Sequence, residues 1–181
     1  MPDVPAPPGL EVRPVAEADM DDIRAIYEDA VLNTSATFEE TLPDRAEICR
    51  RRDAVLAAQL PYLVGVRDGM IVGYCYASPF RPRSAYRYSV ECSVYVHPDH
   101  RQKGIGRAMV AVLVDRCAAQ GYRQMLAVIG DRNNAGSIRL HEGAGFREVG
   151  RLPGVGYKFS RWVDVVVMQR ELGRGSGTPP D

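Results

Sequence analysis

The sequence predicts an α/β fold: a mixed, twisted sheet of about seven strands flanked by about four helices. Three observations carry this. From Val94 to Met109, VYVHPDHRQKGIGRAM, a β-branched and aromatic run passes through a short basic loop with two glycines into apolar residues at helical spacing. Asp68-Gly69 separates two strand-like runs, which is a hairpin signal. Elsewhere strand-like and helix-like segments interleave, with no internal repeat and no second domain.

Met1 to Gly9 is proline-rich and lacks an apolar period, so a disordered tail is expected over 1–9. Leu10 to Val15 reads as the first strand. Ala16 to Leu32 reads as an amphipathic helix, with Ile23, Ile26, Tyr27, Ala30 and Val31 on one stripe and Asp19, Asp21 and Asp22 suited to its N-terminal turn. Asn33 to Leu42 is a polar loop carrying one aromatic, Phe38, which either plugs the core or lines a pocket. A second helix is expected from Pro43 to Leu60, with proline at its start where no N–H is needed.

Tyr62 to Val66 and Met70 to Ser78 form the hairpin around Asp68-Gly69. Pro79 to Arg87, PFRPRSAYR, interrupts the pattern with three arginines, two prolines and two aromatics. Ser89 to Val96 is a strand that His97-Pro98 ends. The helix from Gly104 to Gln120 stops at Gly121. Gln124 to Ile129 is nearly continuous in apolar residues, as expected of a central strand buried on both faces. Asn133 to Ala144 reads as a helix closed by Gly145. Two strands follow, about Phe146 to Pro153 and Trp162 to Glu171, joined through GVGYKFS. Residues 10–172 thus form one domain, and 173–181 a second disordered tail.

The 181 residues suffice for a substantial core, and the 23 basic residues balance the 23 acidic ones. That balance gives no electrostatic reason for a nucleic-acid or membrane-surface partner. No apolar run reaches membrane-spanning length and no signal-peptide pattern is seen, so neither a membrane span nor a leader is expected. Cys49, Cys75, Cys92 and Cys117 are widely spaced in apolar-rich elements, which suggests reduced thiols and a cytoplasmic protein. His97 and His100 lack a third ligand, so no metal site is expected.

The loop between strand and helix is the first place where chemistry shows. Free N–H groups at a helix N-terminus attract anions, and glycines let the backbone come close. Arg101, Lys103 and Arg107 add positive potential, so the expected ligand is a phosphate group. The P-loop ending Gly-Lys-Ser/Thr is missing, and Met109 stands where a dinucleotide fingerprint needs its third glycine. The pattern R-x-x-G-x-G fits from Arg101 through Gln102, Lys103, Gly104 and Ile105 to Gly106.

Two further groups of residues could do chemistry. On the strand before the loop, Val90, Cys92, Val94 and Val96 point one way while Glu91, Ser93 and Tyr95 point the other. Glu91 is then either a solvated or arginine-paired carboxylate or one aimed at a polar cavity. Asn134, Ser137 and His141 share a helix face by spacing, a polar stripe suited to a long ligand, although a lone histidine there can equally be structural.

The R-x-x-G-x-G loop, and N-x-x-[AS]-x-x-x-Y-x-x-x-G-F matched at Asn134, Ser137, Gly145 and Phe146, resemble the GNAT superfamily of N-acetyltransferases. His141 stands where that superfamily usually has tyrosine. Histidine within IRLHEGAGF, the segment SVECSVYV, and the ending GYKFSRWVDV together are similar to the phosphinothricin and methionine sulfoximine acetyltransferases, over about residues 10 to 172. The resemblance implies acetyl-CoA as cosubstrate, its pyrophosphate wrapped by the 101–106 loop. It implies Glu91 and His141 as acid/base residues, and Arg81, Arg83 and Tyr86 as holders of an acidic amino-acid substrate, with Phe38 beside its apolar stem. Arginine suits such a substrate because it donates in a planar fork. Direct transfer in a ternary complex is expected, with Glu91 as base, His141 assisting that deprotonation or protonating the thiolate, and backbone N–H groups at Val94, Tyr95 and Val96 holding the oxyanion. Group members commonly pair, so a homodimer is expected through the strands after Phe146. The rival readings are another amine as acceptor, or a non-catalytic acetyl-CoA-binding module.

Overall fold

A computed structural model describes residues 7–180, so most of the tail expected over 1–9 lies outside the described residues. The strands are β1 (Leu10–Pro14), β2 (Tyr62–Arg67), β3 (Met70–Pro79), β4 (Ser89–Val96), β5 (Gln124–Gly130), β6 (Arg147–Lys158) and β7 (Arg161–Glu171). The helices are α1 (Met20–Asn33), α2 (Arg45–Ala57), α3 (Ile105–Ala119) and α4 (Ala135–Gly143). One sheet has the order β1-β2-β3-β4-β5-β7-β6; only β4 and β5 run parallel. This is the mixed seven-stranded, four-helix fold that the sequence predicts.

Local chemistry explains most boundaries. Asp68 and Gly69 take φ of 52° and 77°, the two left-handed positions of a tight hairpin turn. Asp19 does more than complement a helix dipole: it accepts two 2.8 Å bonds from Arg13 and one of 2.7 Å from the Ala16 amide, clamping β1 to the entry of α1. α2 begins two residues later than expected. Asp44 is its N-cap, accepting from the Glu47 amide at 2.7 Å, so Pro43 lies outside the helix.

Two strands also depart from expectation. β6 does not stop at Pro153. It runs to Lys158 past a register shift between Leu152 and Gly156, and Phe159 and Ser160 (φ 52° and 57°) make the whole turn. β5 is not buried on both faces: Met125, Ala127 and Ile129 are buried, whereas Val128 is exposed. Its apolar composition hid an ordinary strand alternation.

Strand parity divides the core into two halves. On one face Tyr62, Tyr74, Tyr76 and Tyr95 stack along the sheet, and Tyr27 of α1 meets Tyr95 edge-on at 5.1 Å. Ile23, Ile48 and Val55 from α1 and α2 close over this ladder. On the opposite face Cys75 and Cys92 meet α3 and α4, through Met109 and His141. Beyond β7, Leu172 is buried, and Arg123 donates to Thr178 in the turns that follow.

Candidate active site

Parallel pairing of β4 with β5 covers only Ser89↔Gln124 to Cys92↔Ala127. Past that point β4 continues to Val96 and β5 to Gly130 without pairing each other, so the sheet opens at the carboxyl ends of its two parallel strands. A cleft of about 710 Å³ occupies the gap. Val94, Tyr95 and Val96 line one side, and Gly130, Asp131, Asn133 and Asn134 the other.

The basic loop closes the mouth. His97 accepts from the Asp99 amide, Pro98–His100 makes a single helical turn, and Gln102 and Gly104 take φ of 62° and 77°. α3 then starts, its first intrahelical bond running from the Ala108 amide to the Gly104 carbonyl. The amides before Ala108 have no partner within the helix and lie at the cleft, at the positive end of its dipole. Gly106 brings this end close to α4, since an added Cβ would stand 2.5 Å from Leu140 Cδ1.

Every residue read from sequence as cosubstrate-binding lines the cleft except Lys103, whose ammonium donates instead to the Asp99 carbonyl. Arg101 is already engaged. It donates to the Val96 carbonyl and pairs with Asp29 of α1, pinning the loop to the helix that crosses the cleft. Asn134 is the N-cap of α4, accepting from the Ser137 amide at 3.1 Å. The sequence reading missed Ile26, Ala30, Thr34, Ser35, Ala36, His100, Arg139 and Leu140, which also line the cleft. His100 neighbours the loop and Leu140 follows Ser137 by one turn, so spacing could have found both. The contributions of α1 and its following loop depend on tertiary packing alone.

The acid/base candidates do not meet. Glu91 lies on the tyrosine face of β4, half-buried, and burial raises its carboxyl above the usual range while the Arg81 guanidinium opposes the shift. His141 lies on the other face, 3 % exposed. Its Nδ1–H donates to the Ser137 carbonyl at 2.8 Å, its Nε2 is 3.6 Å from Cys92 Sγ, and Phe146 meets it edge-on. Burial lowers its pKa, so the ring is neutral with Nε2 as an acceptor. Ser137 and His141 do share a face, Ser137 Oγ lying 3.4 Å from His141 Nδ1, but along the cleft it is Leu140, not His141, that follows Ser137.

Around Glu91, the Arg81 guanidinium sits 4.3 Å above the Phe80 ring, and Tyr86 meets Phe80 edge-on at 5.6 Å. Arg83 and Tyr86 are exposed on the same excursion between β3 and β4. Phe38 packs onto the Gly130 and Gly156 backbones. None of these side chains lines the cleft itself, so they lie outside its phosphate-binding mouth.

A sheet parted between parallel strands, with a glycine-turned helix N-terminus at the opening, defines a protein that binds a long, phosphate-bearing molecule beside a partly buried carboxylate. The family model described as acetyltransferase (GNAT) domain matches residues 12–167. The chain is 45 % identical over 187 aligned positions to phosphinothricin N-acetyltransferase of Alcaligenes faecalis, covering 99 % of this chain and 95 % of that one. It is 37 % identical over 163 positions to the L-methionine sulfoximine/L-methionine sulfone acetyltransferase of Salmonella typhimurium, covering 90 % and 95 %. Among solved structures, a GNAT superfamily phosphinothricin acetyltransferase from Sinorhizobium meliloti in complex with acetyl-CoA superimposes with a TM-score of 0.92 at 44 % identity, covering 96 % and 94 %.

The chain belongs to the GNAT acetyltransferase family. It is an N-acetyltransferase, and acetyl-CoA is its cosubstrate. The cleft fits that molecule: the α3 amides without a partner in the helix and Arg107 suit a diphosphate, and the gap past Cys92 and Ala127 suits an extended arm. Among the described residues no helix is long and apolar enough to cross a membrane, and no cluster of ligating side chains could hold a metal ion.

Proposed function

We propose that this enzyme acetylates the α-amino group of a small acidic amino-acid analogue of the phosphinothricin, methionine sulfoximine or methionine sulfone type, by direct transfer in a ternary complex. The observation that carries the reading is Glu91: a half-buried carboxylate with a raised pKa, influenced by Arg81, on the strand whose carboxyl end, Val94 to Val96, lines the cosubstrate cleft. The names of the relatives point to the same acceptors.

The roles follow from position and protonation. Acetyl-CoA supplies the thioester. The α3 N-terminus with Arg101, Gln102, Gly104, Ile105, Gly106 and Arg107 holds its phosphates, and Asn134 and Ser137 flank its arm. Lys103 contributes charge near the mouth. Glu91 removes the proton from the acceptor ammonium, directly or through water, and burial makes it a stronger base than a solvated carboxylate. Backbone N–H groups of Val94, Tyr95 and Val96 face the developing oxyanion. Arg81, Arg83 and Tyr86 hold the acceptor's acidic groups, and Phe38 covers its apolar stem. His141, neutral and with its one proton committed to Ser137, supports the β4 wall through Cys92 and does not act as the acid. No acyl-cysteine forms, since burial keeps the Cys92 thiol protonated.

The enzyme acts as a homodimer in the cytoplasm. Support for pairing is an apolar surface on the β6–β7 hairpin, where Leu152, Val155, Tyr157, Phe159 and Trp162 are all exposed. Support for a reducing compartment is the set of four free cysteines, three of them buried. The test is thiol release from acetyl-CoA with phosphinothricin, methionine sulfoximine, methionine sulfone and a panel of unrelated amines. Turnover with the first three supports the reading. Turnover confined to another amine class overturns it in favour of that acceptor.

A further inference from the structure

A buried ammonium is costly unless its donors are met. Lys158, the last residue of β6, is 2 % exposed. Its Nζ donates to the carbonyls of Thr34 and Thr37, each at 2.9 Å, and lies 5.0 Å from the Phe159 ring centre. Two carbonyls three residues apart can meet one ammonium only if the chain between them curls around it. That curl is the segment whose Thr34, Ser35 and Ala36 line the cleft.

The rest of the hairpin grips the same segment. Across the Phe159-Ser160 turn, Arg161 donates to Ser35 Oγ at 3.1 Å and pairs with Asp131 at the cleft end of β5. Phe38 rests on Gly156, where an added Cβ would stand 2.5 Å from the ring, and a Cβ on Gly130 would stand 2.0 Å from the Ser35 carbonyl. Bare backbone at both places is what lets the segment come so close. The polar pattern of residues 33–42 contains no fold-forming signal of its own, so its shape depends on these contacts.

We propose that Lys158 is a positioning residue for the transfer: it shapes the Thr34–Phe38 segment, whose first three residues line the cleft, and couples that segment, together with Arg161, to the β6–β7 hairpin. The acceptor arm of its test rests on the acceptor reading above, but the exchange arm does not. In the full chain, Lys158→Met keeps the length of the side chain and removes its donors. Three quantities are then measured: amide hydrogen exchange with acetyl-CoA bound, affinity for adenosine 3′,5′-bisphosphate, and the steady-state constants for the acceptor. The expected result is exchange at least tenfold faster over residues 34–38 with α3 unchanged, bisphosphate affinity within twofold of wild type, and an acceptor KM raised at least tenfold with a smaller change in kcat. Wild-type exchange and KM in folded Lys158→Met overturn the proposal, as does faster exchange spread evenly over the molecule. Should Lys158→Met fail to fold, the half-exposed Arg161→Gln variant decides: exchange over 34–38 rises at least threefold, or the proposal falls. If wild-type enzyme turns over none of the acidic acceptors, the acceptor reading fails while the exchange arm still judges Lys158.

Discussion

Replacing Glu91 by glutamine removes a charge and almost nothing else. The side chain keeps its shape on the tyrosine face of β4 and stays outside the cosubstrate cleft. A positioned general base contributes roughly 10²–10⁴-fold in rate, or about 3–5 kcal/mol of barrier, so kcat should fall by that factor. Acetyl-CoA affinity should stay within about twofold, well under the tenfold that 1.4 kcal/mol represents. Stability gives an independent check of sign. Burial raises the Glu91 pKa in the folded protein, so its favourable contribution is complete below the unfolded value and is lost as pH rises through the folded one. At neutral pH the carboxylate is the costly form, and Glu91→Gln should melt no lower than wild type; below about pH 4 the difference vanishes. The wild-type kcat should show an acid limb above the ordinary carboxylate range that the variant lacks. Thiol release, a thermal melt and a cosubstrate titration suffice. A variant with kcat within threefold of wild type, or one that loses activity together with melting temperature and acetyl-CoA binding, refutes the assignment of Glu91 as base.

The Asp19–Arg13 clamp should matter for folding and not for turnover. Asp19→Asn is expected to cost about 2 kcal/mol, from charged hydrogen bonds worth roughly 1.5–3 kcal/mol, seen as a lower denaturant midpoint with unchanged KM values. Because Arg13 holds the Asp19 carboxyl below its ordinary value, that difference is full above about pH 4 and shrinks as pH falls through the depressed pKa. Acetyl-CoA at a hundred times its dissociation constant should add about 2.7 kcal/mol, raising the melting temperature by roughly 5–10 °C; no shift would contradict the cleft assignment. Trp162→Glu places a charge in the exposed hairpin surface and should convert a dimer to a monomer in light scattering, whereas an unchanged mass would contradict pairing through that face.

Much of this architecture was legible because the informative residues act locally. Ser89–Val96 is delimited as expected, since β-branched alternation ends at a proline. The loop from Arg101 to Gly106 is legible for the same reason: amides and left-handed backbone at a helix start need no distant partner. Helical spacing shows that Ser137 and His141 are neighbours, but not that Asn134, with φ −74° and ψ 62°, is a cap outside the helical repeat. Spacing from Ser137 places Leu140 and His141 equally near it, so packing alone decides that Leu140 lines the cleft and His141 turns toward Cys92. Lys158 was invisible in YKFS because its significance lies in two carbonyls more than a hundred residues away. Arg101 shows a subtler limit: sequence reveals its charge but not its pairing with Asp29.

The distribution of aromatic rings gives the molecule its own optical gauge. Five of its nine tyrosines are gathered in the interior ladder, while its single tryptophan stands on the hairpin with 69 % of its surface in water. Near-ultraviolet dichroism therefore follows the integrity of the core, and indole emission colour follows whatever covers the hairpin. The two can be read from one unlabelled sample.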